Sequence, residues 1–296
     1  MYLNKQIAFL KKIGFYWSED KVPSFAAALA YYTLFSLGPL LVICITIGSI
    51  FLEKASVQAQ ILNNIDQTLG HESARQMQTI IQALTTTPAD VMTTVIGIAV
   101  LIFGASGLFG QLQLSLNSIW GVKPRSGRGL MGIIKDRFLS FTMVLGVAFL
   151  LLVSMLLSII LTAISTYVSR LIPGSQGISL MPDFIISMSV QILLFAMIFK
   201  TLPDVSLKWE NVWLGAFVTA LLFTVGKILL GFYLSRSNGA TVFGAASSLI
   251  VILIWVYYSA QILFIGAVFT KVYTLAAGDP ILPTKNAILL TCTTTT

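Results

Sequence analysis

The chain has 296 residues, of which only 10% are charged, well below the roughly 25% usual for a soluble domain. Hydrophobic residues make up 56% and the mean hydropathy is +0.90, more apolar surface than a protein can cover in water. A soluble enzyme, a disordered chain, a collagen and a disulfide-built scaffold (only Cys44 and Cys292 are present) are excluded, which leaves an integral membrane protein.

Charges are costly in hydrocarbon, so the gaps between them mark the spans. Residues 1–21 carry Lys5, Lys11, Lys12 and Lys21 and read as a cytoplasmic segment. Val22–Leu52 follows without a charge and is too long for the apolar core of a cleavable signal, so it is expected to stay as an anchor. Within it Tyr31 and Tyr32 lie too deep for an interfacial belt, so their hydroxyls need partners in the bundle or a cavity. Gly38 and Pro39 predict a kink or break near its midpoint. From Glu53 to Asp90 the apolar residues Val57, Ile61, Ile65 and Leu69, then Met77, Ile80, Ile81 and Leu84, have helical spacing on either side of Gly70 and His71. Two amphipathic helices are predicted in this external segment. His71 is the only histidine and has no ligand set around it, so neither a metal nor any other cofactor is expected.

Val91–Val122 is the second charge-free gap; it places Gln113, Asn117 and Trp120 on one helix face, with Trp120 expected at headgroup depth. The amides Gln113 and Asn117 need either a neighbouring helix or a water-filled path. The basic loop 121–137 reads as cytoplasmic retention, with anionic lipid as its natural contact. Phe138–Ser169 and Phe184–Phe199 give two further spans, and the segment from Leu202 to Trp213 reads as an interfacial turn anchored by Trp209 and Trp213. The fifth gap, Asn211–Ser235, is interrupted by Lys227. This lysine either snorkels over the roughly 12 Å to the outer boundary, faces a polar cavity and holds an anionic group, or loses its proton in an apolar pocket. The last gap, Ser237–Thr270, carries Tyr257, Tyr258 and Gln261 near its centre. The glycine-containing stretches 104–110 and 244–248 read as places of close helix packing.

With both termini cytoplasmic, thirteen Lys and Arg fall inside and only Lys54, Arg75, Arg170 and Arg236 outside. The reading is all-α: a polytopic bundle of six transmembrane helices over residues 22–273, an external helical segment at 53–90 and a cytoplasmic tail at 274–296. Continuous apolar runs without alternation exclude a β-barrel.

The blocks Ala27–Leu41, Gly104–Val122, Leu202–Lys227 and Gly244–Thr270, taken in order, resemble the YihY/BrkB family of bacterial inner-membrane proteins, once labelled ribonuclease BN. The resemblance implies six transmembrane helices in the cytoplasmic membrane, with lipid or amphiphile transport as the leading idea of activity. Lys227 and the tyrosines match the family pattern, whose members often carry Asp in place of Leu114 and Glu in place of Val268. The ribonuclease label finds no clustered carboxylates to support it, and no enzymatic activity is expected.

The favoured function is a transporter or flippase of an anionic amphiphile, with Lys227 drawing the headgroup. Gln113, Asn117, Tyr31, Tyr32, Tyr257, Tyr258 and Gln261 would line the path, and Gly38 and Pro39 would act as hinge. The alternative is a scaffold that recruits envelope machinery through residues 53–90. The expected partners are membrane lipids and such an envelope protein; a homo-oligomer is compatible with the sequence, and nucleic acid is not expected, since no aromatics interleave the basic loop.

Overall fold

The computed structural model describes residues 2–51, 53–69, 71–86, 107–125, 180–236, 247–284 and 287–290. The helices are α1 (Tyr2–Glu19), α2 (Val22–Phe51), α3 (Lys54–Leu69), α4 (His71–Thr86), α5 (residues 107–119), α6 (Leu180–Thr201), α7 (Trp209–Arg236) and α8 (Ser247–Ala276). Four short strands accompany them: β1 (Val122–Pro124), β2 (Val205–Ser206), β3 (Leu282–Pro283) and β4 (Ala287–Leu289).

Three of the helices carry apolar windows long enough to cross a bilayer, Phe184–Thr201, Trp209–Leu230 and Leu249–Ala276, and α2 adds the apolar stretch Val22–Ser36. They fall where the gaps between charges predict spans. The predicted span at 138–169, the first part of the one at 91–122, and residues 291–296 lie outside the described residues. The helix α2 continues through Gly38 and Pro39 without a break.

Two helices form between residues 53 and 90, as the apolar spacing predicts, and they meet the bundle through their predicted rows. Val57, Met77 and Ile81 are buried with Ala30, Leu41 and Ile45 of α2 and Ile252 and Val256 of α8. The main core sits toward the other end. There Phe264, Ala267 and Val268 of α8 meet Val22 and Ala26 of α2, Leu116 and Ile119 of α5, and Phe199 of α6.

A close approach of α7 and α8 organises this core. Thr219 donates its hydroxyl to the Gly215 carbonyl at 2.6 Å, and Thr270 donates to the Gly266 carbonyl at 2.7 Å. A Cβ on Gly215 would stand 1.9 Å from Thr270 Oγ1, and one on Gly266 would stand 1.9 Å from Thr219 Oγ1. Each antiparallel helix therefore fills the other's glycine gap with a threonine whose hydroxyl is already bonded to its own helix, a small-residue contact suited to an apolar solvent. Further along the same seam, Gly226 leaves room for Ile262 and Tyr258.

Three features depart from the sequence reading. Within the segment 1–21, Tyr2–Glu19 forms a helix, held by Phe9, Ile13, Tyr16 and Trp17 against the main core. Trp120, expected at headgroup depth, is only 2% exposed, whereas Trp209 and Trp213 are 52% and 45% exposed. It lies in the core because it closes the end of α5 beneath Leu116 and Ile119, and its indole N–H has no acceptor among the described residues. Finally, the tail forms strand pairs: β4 runs antiparallel to β1 and β3 antiparallel to β2.

The glycine gaps give a direct test. Gly215→Ala or Gly266→Ala forces α7 and α8 apart and should cost about 1–3 kcal/mol, read as a lowered melting temperature in detergent. Adding Thr270→Ala to Gly215→Ala should recover only part of that loss, because Thr270 Cβ also stands 2.9 Å from the new methyl position.

Candidate functional site

Most of the polar contacts between distant parts of the chain gather at the end of the bundle where α1, the ends of α5 and α6, the start of α7 and the tail meet. Gly121 ends α5 with a φ of 68°, turning the chain into β1, where the Gly121 carbonyl accepts the Leu290 N–H at 2.7 Å. Gly278 ends α8 with a φ of 79° in a Schellman motif: its N–H bonds the Leu275 carbonyl and the Asp279 N–H bonds the Thr274 carbonyl. That turn presents the Asp279 carboxylate to Lys208 and, at 2.9 Å, to the Asn211 amide. Those two donors hold the Asp279 carboxyl below the usual carboxylate range, and Asp279 in turn raises the Lys208 ammonium.

Two further acids make comparable links. Asn117, which is buried, donates its amide to Asp204 Oδ2 at 3.0 Å and accepts the Asp204 backbone N–H at 2.7 Å, locking the end of α5 to the turn after α6. The Asp204 carbonyl accepts the N–H of Thr284 in the tail at 2.9 Å. Asp20, between α1 and α2, accepts from Lys271 of α8 at 3.1 Å, and the same ammonium lies 4.3 Å from the centre of the Tyr16 ring. Burial pushes the Asp20 carboxyl above its usual range, outweighing the opposite pull of Lys271.

Beside Asn117 a groove of about 400 Å³ opens between α5, β1 and the tail. Gln113, one turn from Asn117, lines it with Leu114, Ser118, Lys123, Asp204 and Leu290. An amide, a carboxylate and an ammonium over apolar walls can orient a polar headgroup. Among the described residues no group of three His, Cys, Asp or Glu forms a metal site.

The structure divides the predicted site residues into separate places. Gln113 and Asn117 share the groove. Gln261 is engaged within the protein: its carbonyl accepts the Trp17 indole at 3.1 Å and its amide donates to the Tyr257 hydroxyl at 2.8 Å. Tyr258 packs over Gly226 in the α7–α8 seam. Tyr31 and Tyr32 are exposed and edge to face, and Tyr32 covers Gly107 in the small-residue stretch of α5. Among the described residues Lys227 is exposed on α7. The sequence reading missed Trp17 and the links made by Asp20, Asp204 and Asp279. The spacing of Phe9, Ile13, Tyr16 and Trp17 signals a helix face, but nothing local announces which distant residue each acid meets.

Residues 16–287 match the family described as Virulence factor BrkB. Among curated relatives, a UPF0761 membrane protein of Pseudomonas paraeruginosa is 26% identical over 278 residues, covering 90% of this chain and 63% of the relative. A UPF0761 membrane protein of Tolumonas auensis is 27% identical over 264 residues, covering 87% and 83%. The chain thus spans about 63% of the length of the Pseudomonas relatives it matches. No solved structure matches.

Two measurements check the links at this end. Lys271→Met leaves a part-buried Asp20 without its cation and should destabilise the fold by about 1–3 kcal/mol, whereas Asp20→Asn with Lys271→Met should recover most of it, by double-mutant thermal unfolding. The carboxyl of Asp279 is lowered in the fold, so its hold on the tail should be complete above the ordinary carboxylate range, near pH 4, and lost as pH falls through the lowered value. Limited proteolysis should therefore leave the tail intact at neutral pH and cut it at acid pH, and Asp279→Asn should be cut more readily at neutral pH.

Proposed function

Given that the chain belongs to the Virulence factor BrkB family and is a multi-pass protein of the bacterial inner membrane, we propose that it moves an anionic amphiphile of phospholipid or glycolipid type. The observation that carries the reading is the position of Lys227. It is exposed on α7 among Val225, Ile228, Leu229 and Phe232, all at least half exposed, about 13 Å of helix rise before Arg236. A cation on an apolar, membrane-facing surface is costly without an anion beside it, and lipid phosphate is the anion available there. One turn earlier, the Thr224 hydroxyl lies 3.3 Å from Gln191 Oε1 of α6, so polar groups continue from Lys227 along the α6–α7 seam. A lateral path along this surface fits the exposure of Lys227 better than an enclosed cavity. The reading names no catalytic residues.

A second reading, recruitment of an envelope protein, draws on the cleft of about 460 Å³ between α3 and α4, lined by Asn63, Asp66, Arg75 and Gln78. Beside Leu62 and Ala74, these four polar side chains offer hydrogen-bond partners to a protein surface.

The test reconstitutes the protein in liposomes with fluorescent anionic or zwitterionic phospholipid and follows the dithionite-accessible signal. The wild type should move the anionic lipid, Lys227→Ala should slow it about fivefold or more, and Lys227→Arg should restore it. If the wild type does no better than empty vesicles, unassisted lipid movement is refuted and the recruitment reading takes its place.

A further inference from the structure

The helix α1 lies against the last turns of α8 and leaves a cleft of about 220 Å³ between them. Phe9 of α1 and Val272 and Leu275 of α8 give it apolar walls, and Lys12 and Tyr16 of α1 also line it. Such a combination matches an amphiphile: an anionic group on the cation and the hydroxyl, with apolar matter beneath. The volume falls below the roughly 300 Å³ at which pockets begin to enclose a whole drug-sized molecule, so the cleft takes one part of a larger ligand and leaves the rest in the bilayer.

The surroundings favour a membrane source. On α1, Ile7 and Leu10 are 44% and 66% exposed at adjacent turns, next to the exposed Lys11. A helix that shows both apolar side chains and lysines lies in the headgroup region, where anionic lipids gather around cations. The charge balance agrees. Asp20 is committed to Lys271, and among the described residues Lys12 makes no ion pair, so its charge is available to an outside anion.

We propose that the cleft between α1 and α8 binds an anionic phospholipid of the adjoining leaflet, with its phosphate on Lys12 and the Tyr16 hydroxyl and its apolar part against Phe9, Val272 and Leu275. The site is separate from the surface around Lys227 and stands whether or not the protein moves lipid.

The experiment titrates the full-length protein in mild detergent with phosphatidylglycerol or phosphatidylcholine and counts retained lipid by native mass spectrometry. The wild type should retain phosphatidylglycerol in preference to phosphatidylcholine. Lys12→Glu, at an exposed position that the fold tolerates, and Ala8→Trp, which fills the cleft, should each lower phosphatidylglycerol retention about fivefold or more. The loss caused by Lys12→Glu should be of the same size in the wild type and in a Lys227→Ala background. Equal retention in Lys12→Glu and wild type overturns the proposal. Displacement of the lipid by millimolar inorganic phosphate assigns the site to free phosphate instead, and disulfide crosslinking of Leu10→Cys between copies assigns this face to a second copy of the chain.

Discussion

The contact between Gly215 and Gly266 on one side and Thr270 and Thr219 on the other fixes how α7 and α8 lie, and much of the structure follows from it. Lipid offers helices no hydrophobic incentive to associate, so close backbone approach must supply the attraction through dispersion. Glycine permits the approach, and a threonine bonded back to its own helix fills the gap without leaving an unmet donor. Once one face of α7 is committed to α8, the faces carrying Lys227, Val225 and Ile228 are turned outward. The exposure of Lys227 is thus a result of how the neighbouring glycines pair.

Three carboxylates do for the tail end what the small residues do for the span. Asp20 joins the turn after α1 to α8, Asp204 is joined to α5 and touches the tail, and Asp279 joins the tail to α7. Each connects segments far apart in the chain, and each uses charge-assisted hydrogen bonds, stronger than neutral ones where water is thin. Burial raises the carboxyl of Asp20, while that of Asp279, also part-buried, is lowered by its donors. The same residue type thus makes one contact that requires its buried cation and another that is mainly positional.

The spans among the described residues and the helix pair at 53–90 were legible because their signals are local: the absence of charge, and apolar residues three or four apart. The amides Gln113 and Asn117 were legible as needing partners, and Asn117 has one in Asp204. What could not be read was pairing across distance. Gln261 promised a place on a path, yet its carboxamide is taken up by Trp17 and Tyr257. Trp120 looked interfacial because it ends a span, but Leu116 and Ile119 carry it inward with them. The strands at 205–206 and 282–283 were beyond a sequence reading, since two-residue strands have no period to detect.

The tail strands also impose an order on assembly. β3 and β4 belong to residues 282–289 and pair with segments that follow α5 and α6, made long before them. During synthesis the loop that will receive β4 therefore waits until α8 has been inserted and the chain beyond it has left the ribosome. The groove lined by Gln113 and Leu290 acquires its last wall only then, so the membrane helices are in place before this compartment closes.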